Sequence, residues 1–511
     1  MSLRKKIYYF ISFFILVVTL LIVLGWYDIR KDASFKINHF LGTEFRFPSK
    51  LVPILKNTIF IVPTLQKTVE KQRTQINRLK NLRRHALELW YVLSAGDFEK
   101  INSIFFDKKN IKSNSGVNNY EAKLFSLPFH NYIFYETPIP YTSLVKPVAY
   151  LDQSEDQIFL VSGNGVFFSF TKNRITELAN NQNSFLEFNK LELKKIKTNI
   201  RDLIKNEKFY LDGYPGIRDI LILDNKIFFS YNKNQTEECY NTSIMAAELN
   251  INILNFSEFF TYDECVSRDN MIYNLPSSPL IFSGGGKMFS FKNNKILFTI
   301  GVYGDKPRAQ KKDSFFGKII SIDLVTKDHE LISMGHRNPQ GLYYDKDSNI
   351  IISTEHGPRG GDEININLEP GNEVENYGWP ISSYGEHYDK EYKEDAPLHK
   401  SHKKFGFTEP IKYFTPSIGI SDVIKIPKTF NEKFINDFFV ASMGSVITEG
   451  DLSIHHIRLN KDFDKIEFED IIPLGQRIRD MIFVREQNIV LLVLENTPAI
   501  AILKLKNIEY E

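Results

Sequence analysis

Residues 216–232 read GIRDILILDNKIFFSYN: a short apolar run, a polar turn around Asp224 and Asn225, and a second run rich in Ile and Phe. Two apolar runs joined by so short a polar turn read as a pair of adjacent strands. The same pattern recurs five more times. It appears as PVAYLDQSEDQIFLVSG from Pro147, GGGKMFSFKNNKILFTIG from Gly284 and NPQGLYYDKDSNIIISTEHG from Asn338. It appears again as GISDVIKIP…NDFFVASMG from Gly419 and RIRDMIFVREQNIVLLVLE from Arg477. The second strands begin near Ile158, Ile227, Ile296, Ile350, Phe438 and Ile489. Each interval holds the ~40–50 residues of a four-stranded unit, with loop to spare. Six such units cannot bury their faces alone, but arranged radially they bury one another. The expected fold is therefore all-β, a six-bladed β-propeller. A sandwich needs tighter spacing of its hairpins.

Composition agrees. The chain has 511 residues, 42% apolar and 25% charged, with 42 Phe and 24 Tyr, which favours strands. The formal charge of +2 argues against a nucleic-acid partner.

Upstream of the repeats the texture differs. Ile7–Tyr27 carries no charge over 21 residues, follows Arg4, Lys5 and Lys6, and has no small-residue cleavage site after it. At ~1.5 Å per residue that spans a bilayer once, so residues 1–27 are expected to form an N-terminal transmembrane anchor. Residues 28–119 read as a helical neck and linker, since Leu65, Val69, Ile76, Leu79, Ala86, Trp90 and Leu93 recur at three- and four-residue spacing. Residues 120–511 are left for the propeller. Cys239 and Cys265 are the only cysteines. They fit one disulfide in an oxidising compartment, or two buried thiols in a reducing one. The disulfide is the expectation, and with it a single-pass membrane protein whose propeller is periplasmic or extracellular.

A propeller places the first residues of its inner strands around one mouth. Those positions hold Arg218, Asp219, Ser283, Arg337, Asn338, Gln340, Ser421, Asp422, Arg477, Arg479 and Asp480. Cations and amides around one axis suit a polyanionic small ligand, although Arg218 with Asp219 and Arg479 with Asp480 are equally readable as salt bridges inside their own blades. The segment Glu355-His356-Gly357-Pro358, followed by Asp362 and Glu363, sets backbone carbonyls and acids in a turn. Such oxygens suit Ca²⁺, and no trio of His and Cys is spaced for Zn²⁺.

The ordered motifs GHRNPQGL (Gly335–Leu342), EHGP, GGDEIN and NYGWP, with GQRIRD at Gly475–Asp480, resemble the glucose/sorbosone dehydrogenase family. Fainter similarity runs through Ala309-Gln310 and Gly317–Asp323, so that the resemblance covers roughly residues 210–505. The resemblance implies a quinoprotein on a six-bladed propeller, using pyrroloquinoline quinone (PQQ) and Ca²⁺ to oxidise aldoses. It implies that Arg337, Asn338 and Gln340 contact the cofactor and that Arg477 and Arg479 face its carboxylates or quinone oxygens. It implies that Gly357 and Pro358 give backbone oxygens to Ca²⁺. The implied partners are a small sugar and a respiratory electron acceptor.

Two departures stand out. The family carries its general base, a histidine, four residues before the Arg of an H-x-G-G-R-L-like motif. Here Ser283 takes the base position and Lys287 the Arg position. A serine cannot accept that proton at neutral pH without a base of its own. A blade-five lysine of the family is also missing from Ala441–Ser445. His336 is the candidate substitute base, with His356 also near the rim. The departures support a second reading, a non-catalytic propeller binding module, and a third, a structural tether.

Overall fold

The computed structural model describes residues 120–126 and 148–505, apart from 164, 181–190, 206–215, 237–238, 268–282, 359, 386–401, 445–450 and 496–498. The chain divides into two compact units, Met1–Gly96 and Asp97–Glu511, and every described residue belongs to the second. The expected anchor, 1–27, and neck, 28–119, lie outside the described residues. Among the described residues no helix is long and apolar enough to cross a membrane.

All six sequence repeats form the first two strands of a sheet, and the described residues make six sheets. Their inner strands are Ala149–Gln153, Ile217–Leu223, Gly285–Phe291, Pro339–Asp345, Ile420–Ile426 and Ile478–Val484, in blades I to VI. Each inner strand touches the next, and that of blade VI touches that of blade I, so the ring closes. Turn chemistry explains the hairpins. In blade II, Leu223 pairs with Lys226 across Asp224 and Asn225, whose φ values of 49° and 58° suit a two-residue turn with both central residues left-handed.

The apolar residues face neighbouring blades. One core joins blades I and II through Phe159, Phe167, Ile220 and Phe229. Another joins II and III through Phe228, Ile244, Phe298 and Phe316, and Leu342, Tyr344 and Ile351 meet Phe291 and Leu297 between III and IV. Cores of the same kind join IV to V, V to VI and VI to I. Each fully buried Phe, Leu or Ile contributes about 1.5–3 kcal/mol relative to exposure. The blades are therefore held by what lies between them.

The strand that completes blade VI comes from far upstream. Tyr120–Ser126 pairs antiparallel with Ala499–Leu505, in register from Tyr120 opposite Leu505 to Ser126 opposite Ala499. The repeat pattern gave no sign of this strand, because the hairpin it belongs to is split between the two ends of the propeller.

Cys239 and Cys265 form a disulfide across 26 residues of blade II. Closing a loop of that length stabilises by about 2–4 kcal/mol, mainly by restricting the unfolded chain. A phosphine reductant is expected to lower the urea midpoint accordingly. Thiol alkylation should add mass only after reduction.

Candidate functional site

Five inner strands carry a β-bulge near their first residues, between Ile217 and Asp219, Gly285 and Met288, Pro339 and Gly341, Ile420 and Val423, and Ile478 and Asp480. A bulge re-aims the side chains it contains. The residues so displaced are Arg218, Gly286 and Lys287, Gln340, Ser421 and Asp422, and Arg479. In blade III the bulge needs glycine: Gly285 and Gly286 have φ of +66° and +111°, and a Cβ on Gly286 would lie 2.5 Å from the Arg218 side chain.

The mouth is assembled from blades III, IV and VI. Asn338 accepts the Gly285 N–H at 3.2 Å and the Gln340 side-chain N–H at 2.9 Å through its amide oxygen. Gln340 in turn accepts Arg479 at 3.3 Å. Arg479 and Arg477 both donate to the carboxylate of Glu495, Arg479 Nε at 2.6 Å and Arg477 Nε at 2.8 Å. Arg477 also donates to the carbonyl of Met443, in the stretch of blade V without a lysine. Arg337 donates to the His356 carbonyl at 3.0 Å, and its guanidinium lies 5.5 Å from the Trp379 ring centre. Its backbone N–H donates to Glu355 at 2.7 Å. Segments 139 residues apart in the chain are thus neighbours, as a common mouth requires.

Beside Arg337 lies a cleft lined by Glu355, His356, Gly357, Glu363, Tyr377 and Trp379. His356 is mostly buried, its side chain 24% exposed. Burial, helped by the charges of Arg337, Arg479 and Arg477 and opposed by Asp362, lowers its pKa to about 4, so the ring is neutral at pH 7. Burial also raises Glu363 to about 7 against the pull of His402. Gly357 donates to Asp362 at 3.0 Å, and Asp362 accepts the Ile420 N–H at 2.9 Å, which pins the turn to blade V. A Cβ on Gly357 would stand 2.0 Å from the Gly361 carbonyl oxygen, so this close approach requires glycine. The NYGWP segment pins the other wall: Glu375–Asn376 pairs with the outer strand of blade III, and Gln310 donates to the Trp379 carbonyl at 2.6 Å.

His336 does not reach the mouth. It is fully buried, with Nε2 2.7 Å from the Ser333 hydroxyl and Nδ1 3.1 Å from Glu355, and its ring packs 5.0 Å from that of Tyr377. Both ring nitrogens are engaged within the wall, with Ser333 on one side and Glu355 on the other. Ser283 is buried at 2% exposure, and its carbonyl accepts the Tyr303 N–H at 3.2 Å.

Below the mouth the axis holds a charge cluster. Lys287 Nζ lies 2.6 Å from Asp480, 3.2 Å from Asp422 and 3.4 Å from Asp219. The second oxygen of each aspartate accepts a backbone N–H from the next blade: Met288 for Asp219, Met481 for Asp422 and Leu151 for Asp480. Asp152 does the same for Ile222. Asp219 and Asp480 therefore work between blades, where a pairing inside their own blades was the other reading. Glu495, the side-chain role of Glu355 in holding His336 and Arg337, and the axial role of Lys287 escaped the sequence reading. Glu495 left one signal: an acid ending the apolar run IVLLVL in a repeat that opens on two arginines.

Among the described residues no group of three or more His, Cys, Asp or Glu is placed to hold a metal ion. Backbone carbonyls, as at Gly357 and Pro358, are a different kind of donor.

Fold and mouth define a closed six-bladed propeller with a basic, amide-lined opening at one end of its axis. The chain belongs to the glucose/sorbosone dehydrogenase family, whose model matches residues 189–502. An uncharacterised protein of Synechocystis is 31% identical over 220 residues, 39% of this chain and half of that protein. The aldose sugar dehydrogenase YliI of Escherichia coli is 26% identical over 287 residues, 53% of this chain and 71% of that one. Quinoprotein glucose dehydrogenase B of Acinetobacter calcoaceticus is 26% identical over 212 residues, 36% of this chain and 41% of that one. Among solved structures, the soluble aldose sugar dehydrogenase of Escherichia coli in its apo form superposes with a TM-score of 0.52 at 18% identity, covering 76% of this chain and 99% of that one. At that identity the likeness establishes the fold.

Proposed function

We propose that this protein is a membrane-anchored, outward-facing, PQQ- and Ca²⁺-dependent aldose dehydrogenase. The observation that carries the reading is the convergence of Arg337, Asn338, Gln340, Arg477 and Arg479 on one mouth in a chain of this family. The donor set fits PQQ. Guanidiniums recognise carboxylates, and Asn338 and Gln340 supply amides for quinone oxygens. Gly357 and Pro358 would give carbonyl oxygens to Ca²⁺. When bound, the Ca²⁺-polarised quinone supplies the hydride acceptor. The protein's own residues bind and orient. Arg337 is fixed by Glu355 and His356, Trp379 shields one side of its guanidinium, and the neutral His356 adds no charge to the arginines around it. An outward-facing propeller is supported by the disulfide. The electrons would pass to a respiratory acceptor.

The alternative is a binding module without turnover. It is favoured by the buried serine at the base position and by the engagement of both His336 nitrogens. Reconstitution of the full chain in detergent with PQQ and Ca²⁺ separates the two. Dye reduction that saturates with an aldose supports the enzyme. Saturable PQQ binding without dye reduction supports the module, and absence of PQQ binding ends both.

A further inference from the structure

Arg477 and Arg479 carry like charges two residues apart at the start of one strand, Arg477 just before it and Arg479 within the bulge between Ile478 and Asp480. Left alone they would repel and spread. One carboxylate meets both. Glu495 directly follows the second strand of blade VI, Ile489–Leu494, and its N–H donates to the Arg477 carbonyl at 2.9 Å. The backbone register therefore sets its side chain beneath the pair. That side chain is fully buried. One oxygen takes Arg477 Nε at 2.8 Å, and the other takes Arg479 from Nε at 2.6 Å and from a terminal nitrogen at 2.5 Å. Burial raises the carboxyl, but Arg479 and Arg477 more than reverse this and hold it below the ordinary carboxylate range. The charge is thus fixed as well as the position.

We propose that Glu495 is a positioning residue: a single buried carboxylate that locks Arg477 and Arg479 side by side as a two-pronged receptor for the carboxylates of the bound anion. The inference rests on the proposed PQQ-binding reading and deepens it. It also has a competitor with the opposite sign. If Glu495 acts only as a nearby negative charge, it weakens the attraction for a polycarboxylate, and removing it tightens binding. If it positions, removing it lets two repelling guanidiniums diverge and weakens binding.

Two variants read this by calorimetric titration of PQQ, with Ca²⁺, into the full-length protein in detergent. Glu495→Gln keeps the shape and removes the charge. Glu495→Asp keeps the charge but is a methylene too short to span both arginines. Positioning predicts a rise in Kd of roughly tenfold or more for each, the size usual when a partner that orients a ligating group is lost. Tighter binding by Glu495→Gln, or unchanged binding by Glu495→Asp, overturns the inference while the reading stands. If the wild-type chain binds no PQQ, the reading fails and the inference goes with it. Should Glu495→Gln not fold, Glu495→Asp decides alone.

Discussion

Lys287→Met is expected to lower folding stability by about 3–5 kcal/mol, because it leaves three buried carboxylates facing one another without their cation. Asp219, Asp422 and Asp480 are each about 1–2% exposed at the side chain, and Lys287 is 13% exposed, so water cannot stand in for the ammonium. The arrangement has a pH signature. Burial first, and the neighbouring aspartates next, raise Asp422 to about 7 and Asp219 well above its ordinary value, with Lys287 pulling both down. A carboxyl raised on folding contributes stability that is complete below its unfolded pKa and lost as pH climbs through its folded one. For Asp422 that window runs from 3.8 to about 7. Without Lys287, which pulls both down, Asp219 and Asp422 hold their protons to still higher pH. The deficit of the variant should therefore be largest above pH 7 and shrink towards pH 5, below the raised value of Asp422. Urea midpoints at pH 8 and pH 5 measure it. Lys295→Met serves as control. Its partner Glu330 is 66% exposed, and loss of so open a pair costs at most about 1 kcal/mol. Equal midpoints for wild type and Lys287→Met at pH 8 would remove the axial cluster from any account of stability.

Ser283→His carries the largest expected effect on turnover. If the chain oxidises sugars without a base at this position, supplying an imidazole should raise kcat by about 10²–10⁴-fold, the usual contribution of general base catalysis. The insertion has a structural cost. Ser283 is buried and is followed by Gly284, where a Cβ would already lie 2.4 Å from the Tyr303 hydroxyl. Overpacking of this kind costs about 1–3 kcal/mol, which a melting curve reports separately from the rate. A folded, PQQ-binding Ser283→His protein with no gain in dye reduction would favour the binding module. His336→Ala should leave any wild-type turnover limited only by its packing, since its nitrogens already serve Ser333 and Glu355.

The blades were legible because each begins with a hairpin, and a hairpin is local: two apolar runs and a polar turn such as Asp224-Asn225 suffice to write it. The mouth was legible for the same reason, since Arg337, Asn338, Arg477 and Arg479 stand at hairpin starts that a ring must bring together. What the sequence hid depends on contacts between blades. Nothing local links Lys287 to Asp422 or Asp480, or Asp152 to the backbone of Ile222. His336 shows the limit from the other side. Its neighbour Arg337 turns to the cleft while His336 turns into the wall, a difference of one residue that composition does not carry.

The strand Tyr120–Ser126 decides where the chain can be cut. An expression fragment begun after Ser126 would leave blade VI with an unpaired row of N–H and C=O groups along Ala499–Leu505, a template for joining a second molecule. A shortened version made by trimming the front must start upstream of Tyr120, or crystallographers should expect oligomers born at that exposed margin.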